Sequence, residues 1–376
     1  MMQFFKDTKI DFMGRKYIWI SISVVMIVIG VVSLFLKGVN MGIEFSGGTE
    51  VRIRFIQERS VQEIRDKLGR EGLGKAQIQQ IKDQENEIMI RMPLIAEKGE
   101  SAETILNSLR DESQMQKVKD GLIDLNIADA SMIKAVLSAF PGIGEDRASD
   151  LAEAILKYRD DHAGIIKDSA EMQNLPEMTP EIALFLKERS FFGDFSVRRI
   201  EFIGPVVAPE LRNKALLAIA GSLVGMLIYI WIRFQFQWGL AAIIALFHDV
   251  LITLGLFSIF GKEFNLPVVA SFLTLVGYSV NDTIVVFDRI RENMRLKVGM
   301  DFEALINLSI NQTLSRTVIT SMLTWVVVIA LFFLGGEVIN PFAFVLFVGI
   351  VVGTYSSIYI ASPILIVWKE IFLGKK

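Results

Sequence analysis

The run Leu266-Pro267-Val268-Val269-Ala270-Ser271-Phe272-Leu273-Thr274-Leu275-Val276-Gly277-Tyr278-Ser279-Val280-Asn281-Asp282-Thr283-Ile284-Val285-Val286-Phe287 carries a single charge, Asp282. A bilayer core roughly 30 Å thick takes about 20 apolar helical residues to cross, so this stretch reads as a membrane-spanning helix. Upstream, Trp238–Phe260 is a second such run, interrupted only by His248 and Asp249. Ala215–Ile232 and Tyr17–Leu36 are uncharged throughout. Downstream, Thr317–Leu334 and Pro341–Trp368 complete a set of six, the last long enough to tilt. The fold class is therefore a polytopic α-helical membrane protein. Tyr17–Leu36 is too long for a cleaved signal peptide, and Lys37-Gly38 lacks a small-x-small cleavage pattern.

Hydrophobic residues make up 52% of the 376 residues while charged ones still reach 22%, which requires segregation along the chain. The charge lies in residues 38–213, and most of 215–368 is apolar. The domain map is then residues 1–16 as a cytoplasmic tail, 17–36 as the first span, 37–213 as a large domain, 214–368 as spans two to six, and 369–376 as a second tail. Basic residues in short segments set the orientation. Lys6, Lys9, Arg15 and Lys16 precede the first span; Arg289, Arg291, Arg295 and Lys297 follow the fourth; Lys369, Lys375 and Lys376 end the chain. The loops after spans three and five hold only Lys262. Both termini are expected in the cytoplasm and residues 37–213 outside it, in the periplasm. The absence of cysteine fits that compartment weakly, and a net charge of −3 says nothing of partners.

Within the large domain, Gly42-Ile43-Glu44-Phe45-Ser46-Gly47-Gly48-Thr49 reads as a turn feeding the alternating strand Val51-Arg52-Ile53-Arg54-Phe55. Ser60 with Glu63 three residues on is a capping-box pattern opening a helix. Gln77–Lys82 and Glu87–Met92 read as a hairpin about the polar Asp83–Asn86, Ala102 to about Lys119 as a helix, and Arg198–Ile203 as a last strand. With the middle removed, the order is β-α-β-β-α-β, that of a ferredoxin-like α+β split unit. The middle, about 120–162, reads helix, Pro141-Gly142-Ile143-Gly144 turn, helix, and resembles a helix-hairpin-helix module. Such turns often sit against nucleic-acid phosphates. Here Asp120, Asp124, Asp129, Glu145, Asp146, Asp150, Glu153, Asp160 and Asp161 face only Lys134, Arg147, Lys157 and Arg159. That balance opposes phosphate binding and favours a structural or protein-contact insert, so no nucleic-acid partner is expected.

An isolated carboxylate at bilayer depth costs about 2.5–3.5 kcal/mol on insertion scales, so each one needs a partner, a cavity or a proton. Asp282 sits in the polar run Gly277-Tyr278-Ser279-Val280-Asn281-Asp282-Thr283, with Tyr278 and Ser279 on its face of the helix. It is either a packed, hydrogen-bonded carboxylate or a group that gains and loses a proton as the bundle moves. Arg316 in Leu314-Ser315-Arg316-Thr317 is the available cation, always charged, and is otherwise a positive-inside anchor. His248 and Asp249 point about 100° apart on one helix and are not expected to face one partner together. Gly353-Thr354-Tyr355-Ser356-Ser357 offers hydroxyls to the interior, or ordinary packing contacts. There is no P-loop or metal cluster and only two histidines, so nothing points to a hydrolase or to a metal cofactor.

Gly277–Thr283 continued by Ile284-Val285-Val286-Phe287-Asp288-Arg289-Ile290-Arg291-Glu292-Asn293 resembles the fourth-helix signature of the SecF family of export-membrane subunits. Phe247-His248-Asp249, Ser315-Arg316-Thr317, Gly353–Ser357 and Ile200-Glu201-Phe202-Ile203-Gly204-Pro205 with Glu210-Leu211-Arg212 fall where that family has them. The resemblance covers nearly the whole chain. It implies an RND-like six-helix half-bundle in the bacterial inner membrane that uses the proton motive force, with no cofactor beyond the proton gradient. It also implies work on translocating preproteins with SecD and the SecYEG channel, and YajC and the YidC insertase as further partners. The family implicates the positions of Asp282 and Arg316 in proton transport; Asn281, Thr317 and Asp249 join them as relay candidates. The family usually has Asp where this chain has Glu44, and the insert makes the outer domain longer than usual. Two rivals stand beside this reading: half of an RND-type exporter of lipids or small molecules, and a scaffold that leaves Asp282 without a purpose.

Overall fold

The computed structural model describes residues 8–81, 84, 86–94, 102–172, 175, 178–233 and 236–372; Lys6, Lys82, Asp83 and Lys375–Lys376 of the readings above lie outside them. The chain divides into two compact units, Met1–Phe45 with Glu210–Lys376, and Ser46–Pro209.

The first unit is a helical bundle. Among the described residues, six helices are long and apolar enough to cross a membrane: Met13–Lys37, Val207–Ile232, Phe236–Ile259, Leu266–Leu296, Phe302–Leu334 and Val338–Ile371. The fourth and fifth extend well past the expected Phe287 and start well before Thr317. Hydropathy marks where an apolar environment ends, not where a helix ends. Local chemistry sets the true limits: Asn265 caps the fourth helix by accepting from Val268 N at 3.1 Å, and Asp301 caps the fifth by accepting from Ala304 N at 3.1 Å. The polar extensions hold each other through Asn293 Nδ2, which donates to Ser309 Oγ and to Gln312 Oε1, both at 2.8 Å. The sixth helix contains a π-helical turn at Ser357–Ala361. Just after the first helix, Asn40–Met41 pairs in parallel with Glu263–Phe264, which lies between the third and fourth.

The second unit is α+β. Its main sheet has four strands, Gly48–Phe55, Gln77–Gln80, Glu87–Met92 and Phe195–Ile203. The first pairs antiparallel with both the third and the fourth, and the second pairs antiparallel with the third. Val51, Ile53 and Phe55 alternate into a core with Ile88, Ile90, Ile64 and Leu68, as their period of two requires. Gly47 and Gly48 both have positive φ, 71° and 130°, and a Cβ on Gly48 would collide with the Met92 carbonyl, so only glycine opens this strand. Ser60 does cap its helix, accepting from Glu63 N at 3.1 Å, but the Glu63 carboxylate pairs with Arg59 at 2.7 Å. The expected helix Ala102–Lys119 is two, Ala102–Leu109 and Glu112–Lys119, because Asp111 takes an extended N-cap conformation.

The hairpin Ala130–Ser138 and Glu145–Asp161 forms as read, with Gly142 at φ +87° in its turn. The insert reaches beyond residue 162, however. Ile166, Met172, Ile182 and Leu186 bury against Ile133, Leu137, Leu151 and Ile155, and Ile123–Asp124 pairs in parallel with Ser190–Phe191. Two short helices cannot enclose a core alone, so the following segment completes it.

Candidate functional site

Among the described residues, the bundle interior holds two carboxylates. Asp282 on the fourth helix is 2% exposed. Its Oδ2 accepts from Ser321 Oγ of the fifth helix at 3.0 Å, and the Thr354 hydroxyl of the sixth helix lies 2.9 Å from that same Ser321 oxygen. Arg316 stands in electrostatic range of Asp282, yet its side chain is exposed on the surface of the chain and Ser321, not Arg316, makes the hydrogen bond. Thr317 is buried, and its hydroxyl has no partner among the described residues. Asn281 points away from Asp282 and lines, with Ser222, Tyr229 and Gly277, a groove of about 400 Å³.

Asp249 on the third helix is 0% exposed. Its Oδ2 accepts from Ser279 Oγ of the fourth helix and from Ser356 Oγ of the sixth, the latter at 2.8 Å, and its Oδ1 lies 2.8 Å from His248 Nδ1. The other ring nitrogen, His248 Nε2, lies 3.1 Å from the Tyr355 hydroxyl, itself 3.1 Å from Ser23 Oγ of the first helix. The expectation that His248 and Asp249 would not face one partner together is thus corrected: both face the sixth helix, through Tyr355 and Ser356. Their side chains diverge as helical neighbours must, but Tyr355 and Ser356 diverge equally on the facing helix, and the imidazole reaches back to its neighbour's carboxylate.

Close approach makes this possible. Gly353 packs on Ser279, where an added Cβ would lie 3.1 Å from the serine Cβ. Tyr278 and Ser279 do not both serve Asp282: Ser279 turns to Asp249, and the Tyr278 hydroxyl is buried without a partner. The π-helical turn follows Ser356 directly, and Ser362 Oγ donates to the Ser357 carbonyl at 2.9 Å, occupying an acceptor there. Ser321 and Ser23 carry no mark in the sequence, since a lone hydroxyl in an apolar helix has no signature, whereas Ser279, expected beside Asp282, bonds Asp249 instead. Chemically, the arrangement offers two buried carboxylates on hydroxyl donors, with an exposed arginine in electrostatic range of one and an imidazole bonded to the other. Among the described residues, no group of three or more His, Cys, Asp or Glu is placed to hold a metal.

Comparison with known proteins agrees with the architecture. The family description "Protein export membrane protein SecD/SecF, C-terminal" matches residues 185–371, and the "SecD/SecF GG Motif" matches 32–55, which includes Gly47-Gly48. The chain is 37% identical to the protein translocase subunit SecF of Koribacter versatilis, over 98% of this chain and 94% of that one. It is equally 37% identical to SecF of Desulfurispirillum indicum, over 97% and 93%. It is 48% identical to the protein translocase subunit SecDF of Thermus thermophilus, but over 52% of this chain and 27% of that one. The crystal structure of the Thermus SecDF, described as a translocon-associated membrane protein, superposes with a TM-score of 0.66 at 30% identity. That match covers 98% of this chain and 40% of the SecDF chain, so the chain spans about two fifths of that protein.

Proposed function

Because this multi-pass membrane chain belongs to the SecF family of protein translocase subunits, we propose that it is the SecF-type auxiliary subunit of a Sec translocase, coupling the proton motive force to preprotein export. The observation that carries the coupling is Asp282: a carboxylate 2% exposed, inside a helical bundle, held by one neutral hydroxyl and influenced by an arginine that does not bond it. Arg316 cannot give up its proton, so it modulates the carboxylate while Asp282 carries the charge. Thr317, buried with a free hydroxyl, and Asn281, on the neighbouring groove, are the further members of this relay, together with Asp249.

In this reading the chain lies in the bacterial inner membrane with both termini cytoplasmic and residues Ser46–Pro209 in the periplasm, where a sheet with the strand order of a ferredoxin-like unit receives the emerging preprotein. SecD is its partner, supported by the fused SecDF relatives, and the pair acts on the SecYEG channel, with YajC and YidC as further associates. Protonation of Asp282 frees it from the field of Arg316, the helices shift, and the periplasmic domain moves. Electrical work of about 2.3 kcal/mol per charge per 100 mV is available to drive each cycle. The chain makes and breaks no covalent bond other than those to the proton and uses no cofactor. The test is Asp282→Asn, measured as proton-gradient-stimulated export in membrane vesicles. Stimulation should vanish with assembly intact, and normal stimulation sinks the mechanism.

A further inference from the structure

We propose that Ser23, Tyr355 and His248 form a proton wire that ends on Asp249, making Asp249 a second proton-loading carboxylate separate from Asp282. The proposal deepens the reading of this bundle as proton-coupled and rests on it.

The geometry is continuous. Ser23 Oγ, Tyr355 Oη, His248 Nε2, His248 Nδ1 and Asp249 Oδ1 succeed one another across the first, sixth and third helices at 3.1, 3.1 and 2.8 Å, with the imidazole bridging the last two contacts. Every member both donates and accepts. With Asp249 ionised, Nδ1 carries the ring proton, Tyr355 donates to Nε2, and Ser23 donates to Tyr355. A proton arriving at Ser23 Oγ drives a concerted shift. The Ser23 proton passes to Tyr355, the Tyr355 proton to Nε2, and the Nδ1 proton to Asp249. Each oxygen and nitrogen keeps its normal valence, the imidazole has exchanged tautomers, and the carboxyl is neutral.

Other groups facing Asp249 are neutral. From the fourth helix it meets Ser279, with Asp282 three residues further on that helix and bonded to Ser321; from the sixth it meets Ser356. Thr253, one turn on along its own helix, is buried with an unpaired hydroxyl. Among the described residues no lysine or arginine lies within 4.0 Å of Asp249, whose one ionic neighbour is His248. A permanently charged carboxylate at 0% exposure without a fixed cation is costly, whereas one that accepts a proton from the imidazole beside it is not. A purely structural hub would need only the two serines. It would not need an imidazole bonded on both nitrogens and a tyrosine that links it to a third helix.

The experiment is pH-difference infrared spectroscopy of the full-length chain in phospholipid vesicles, reading the buried protonated-carboxyl bands. Two titrating bands are expected, one lost in Asp282→Asn and the other in Asp249→Asn. His248→Gln should move the midpoint of the second band by about one pH unit or more and leave the first alone. Tyr355→Phe should keep both bands but slow loading of the second at least tenfold after a pH jump. If Asp249→Asn removes no titrating band, or Tyr355→Phe loads at the wild-type rate, the proposal is overturned. Should Asp249→Asn not assemble, Asp249→Glu decides: it must displace the second band, and an unmoved spectrum overturns the wire. The two readings part cleanly. Loss of a band in Asp249→Asn alone leaves this wire standing and removes Asp282 as carrier; loss in Asp282→Asn alone does the reverse.

Discussion

Gly30 and Gly255 meet backbone to backbone where the first and third helices cross: a Cβ on Gly30 would come within 2.8 Å of Gly255 Cα, and one on Gly255 within 2.5 Å of Gly30 Cα. Such contact lets two helices pack where apolar side chains gain nothing over lipid. On the same seam Ser33 Oγ lies 3.0 Å from Ser258 Oγ, and Ser258 Oγ lies 2.8 Å from the Gly38 carbonyl. A bulky residue at either glycine forces the helices apart. Gly255→Val is expected to destabilise the bundle by about 1–3 kcal/mol, the usual range for overpacking. Thermal unfolding in detergent followed by tryptophan fluorescence checks it, and an unchanged midpoint would show that the crossing is not tight.

Among the described residues, Ser321 is the one hydroxyl that bonds Asp282 directly. A hydrogen bond to a charged group is worth about 1.5–3 kcal/mol, or roughly a 10- to 100-fold change in the equilibrium it supports. Ser321→Ala should therefore cut proton-gradient-stimulated export at least several-fold, and Ser321→Thr, which restores the hydroxyl, should recover most of it. Equal loss in both variants would point to packing rather than to hydrogen bonding.

The six spans and the hairpin insert were legible because their signals are collective, summed over many residues. Asp282 and Asp249 were legible because a carboxylate in an apolar run is costly wherever it points. The hydroxyls contributed by the first and fifth helices were not. Ser321 and Ser23 look like any small residue in a membrane helix, and the packing of Gly353 on Ser279 brings the sixth helix close enough for Ser356 to bond Asp249 and for Thr354 to bond Ser321. The polar ends of the fourth and fifth helices escaped for a related reason: Asn293 and Ser309 are buried against each other, a pairing that no single-helix pattern encodes. The insert's extent beyond 162 is not legible because its last helix, Pro180–Arg189, joins the core only in three dimensions.

Asn126 fastens that insert. It is buried; its Nδ2 donates to the Ile166 carbonyl at 3.1 Å and to the Gly193 carbonyl at 2.8 Å, and its Oδ1 accepts from Ile166 N at 2.8 Å. Removing the side chain leaves backbone groups unpaired, each costing about 1–3 kcal/mol where water cannot reach. Asn126→Ala is expected to destabilise this part of the chain by roughly 2–4 kcal/mol. Limited proteolysis of the full-length protein should then cut within residues 123–192 well before the wild type is cut there. Equal resistance would mean that the three bonds are dispensable.

Asp124, beside it, gives the insert a pH dependence of definite sign. Burial pushes its carboxyl above the ordinary aspartate range, against the opposing pull of Gly193 N–H at 3.0 Å, Asn126 N–H at 3.1 Å and the Arg110 guanidinium at 3.4 Å. The guanidinium is imperfectly engaged, since its Nε is buried without a partner. Because the folded chain holds this proton more tightly than the unfolded one, the group's favourable contribution is complete below the unfolded value near 4 and is lost as pH rises through the higher folded value. Asn cannot titrate, so the stability of the wild type relative to Asp124→Asn should fall as pH is raised from about 4 to 7. Thermal unfolding of both full-length proteins across that range is the measurement. A rise of the wild type relative to the variant with pH would mean that Arg110 and the two amides outweigh burial, and that Asp124 is held as a stabilised anion.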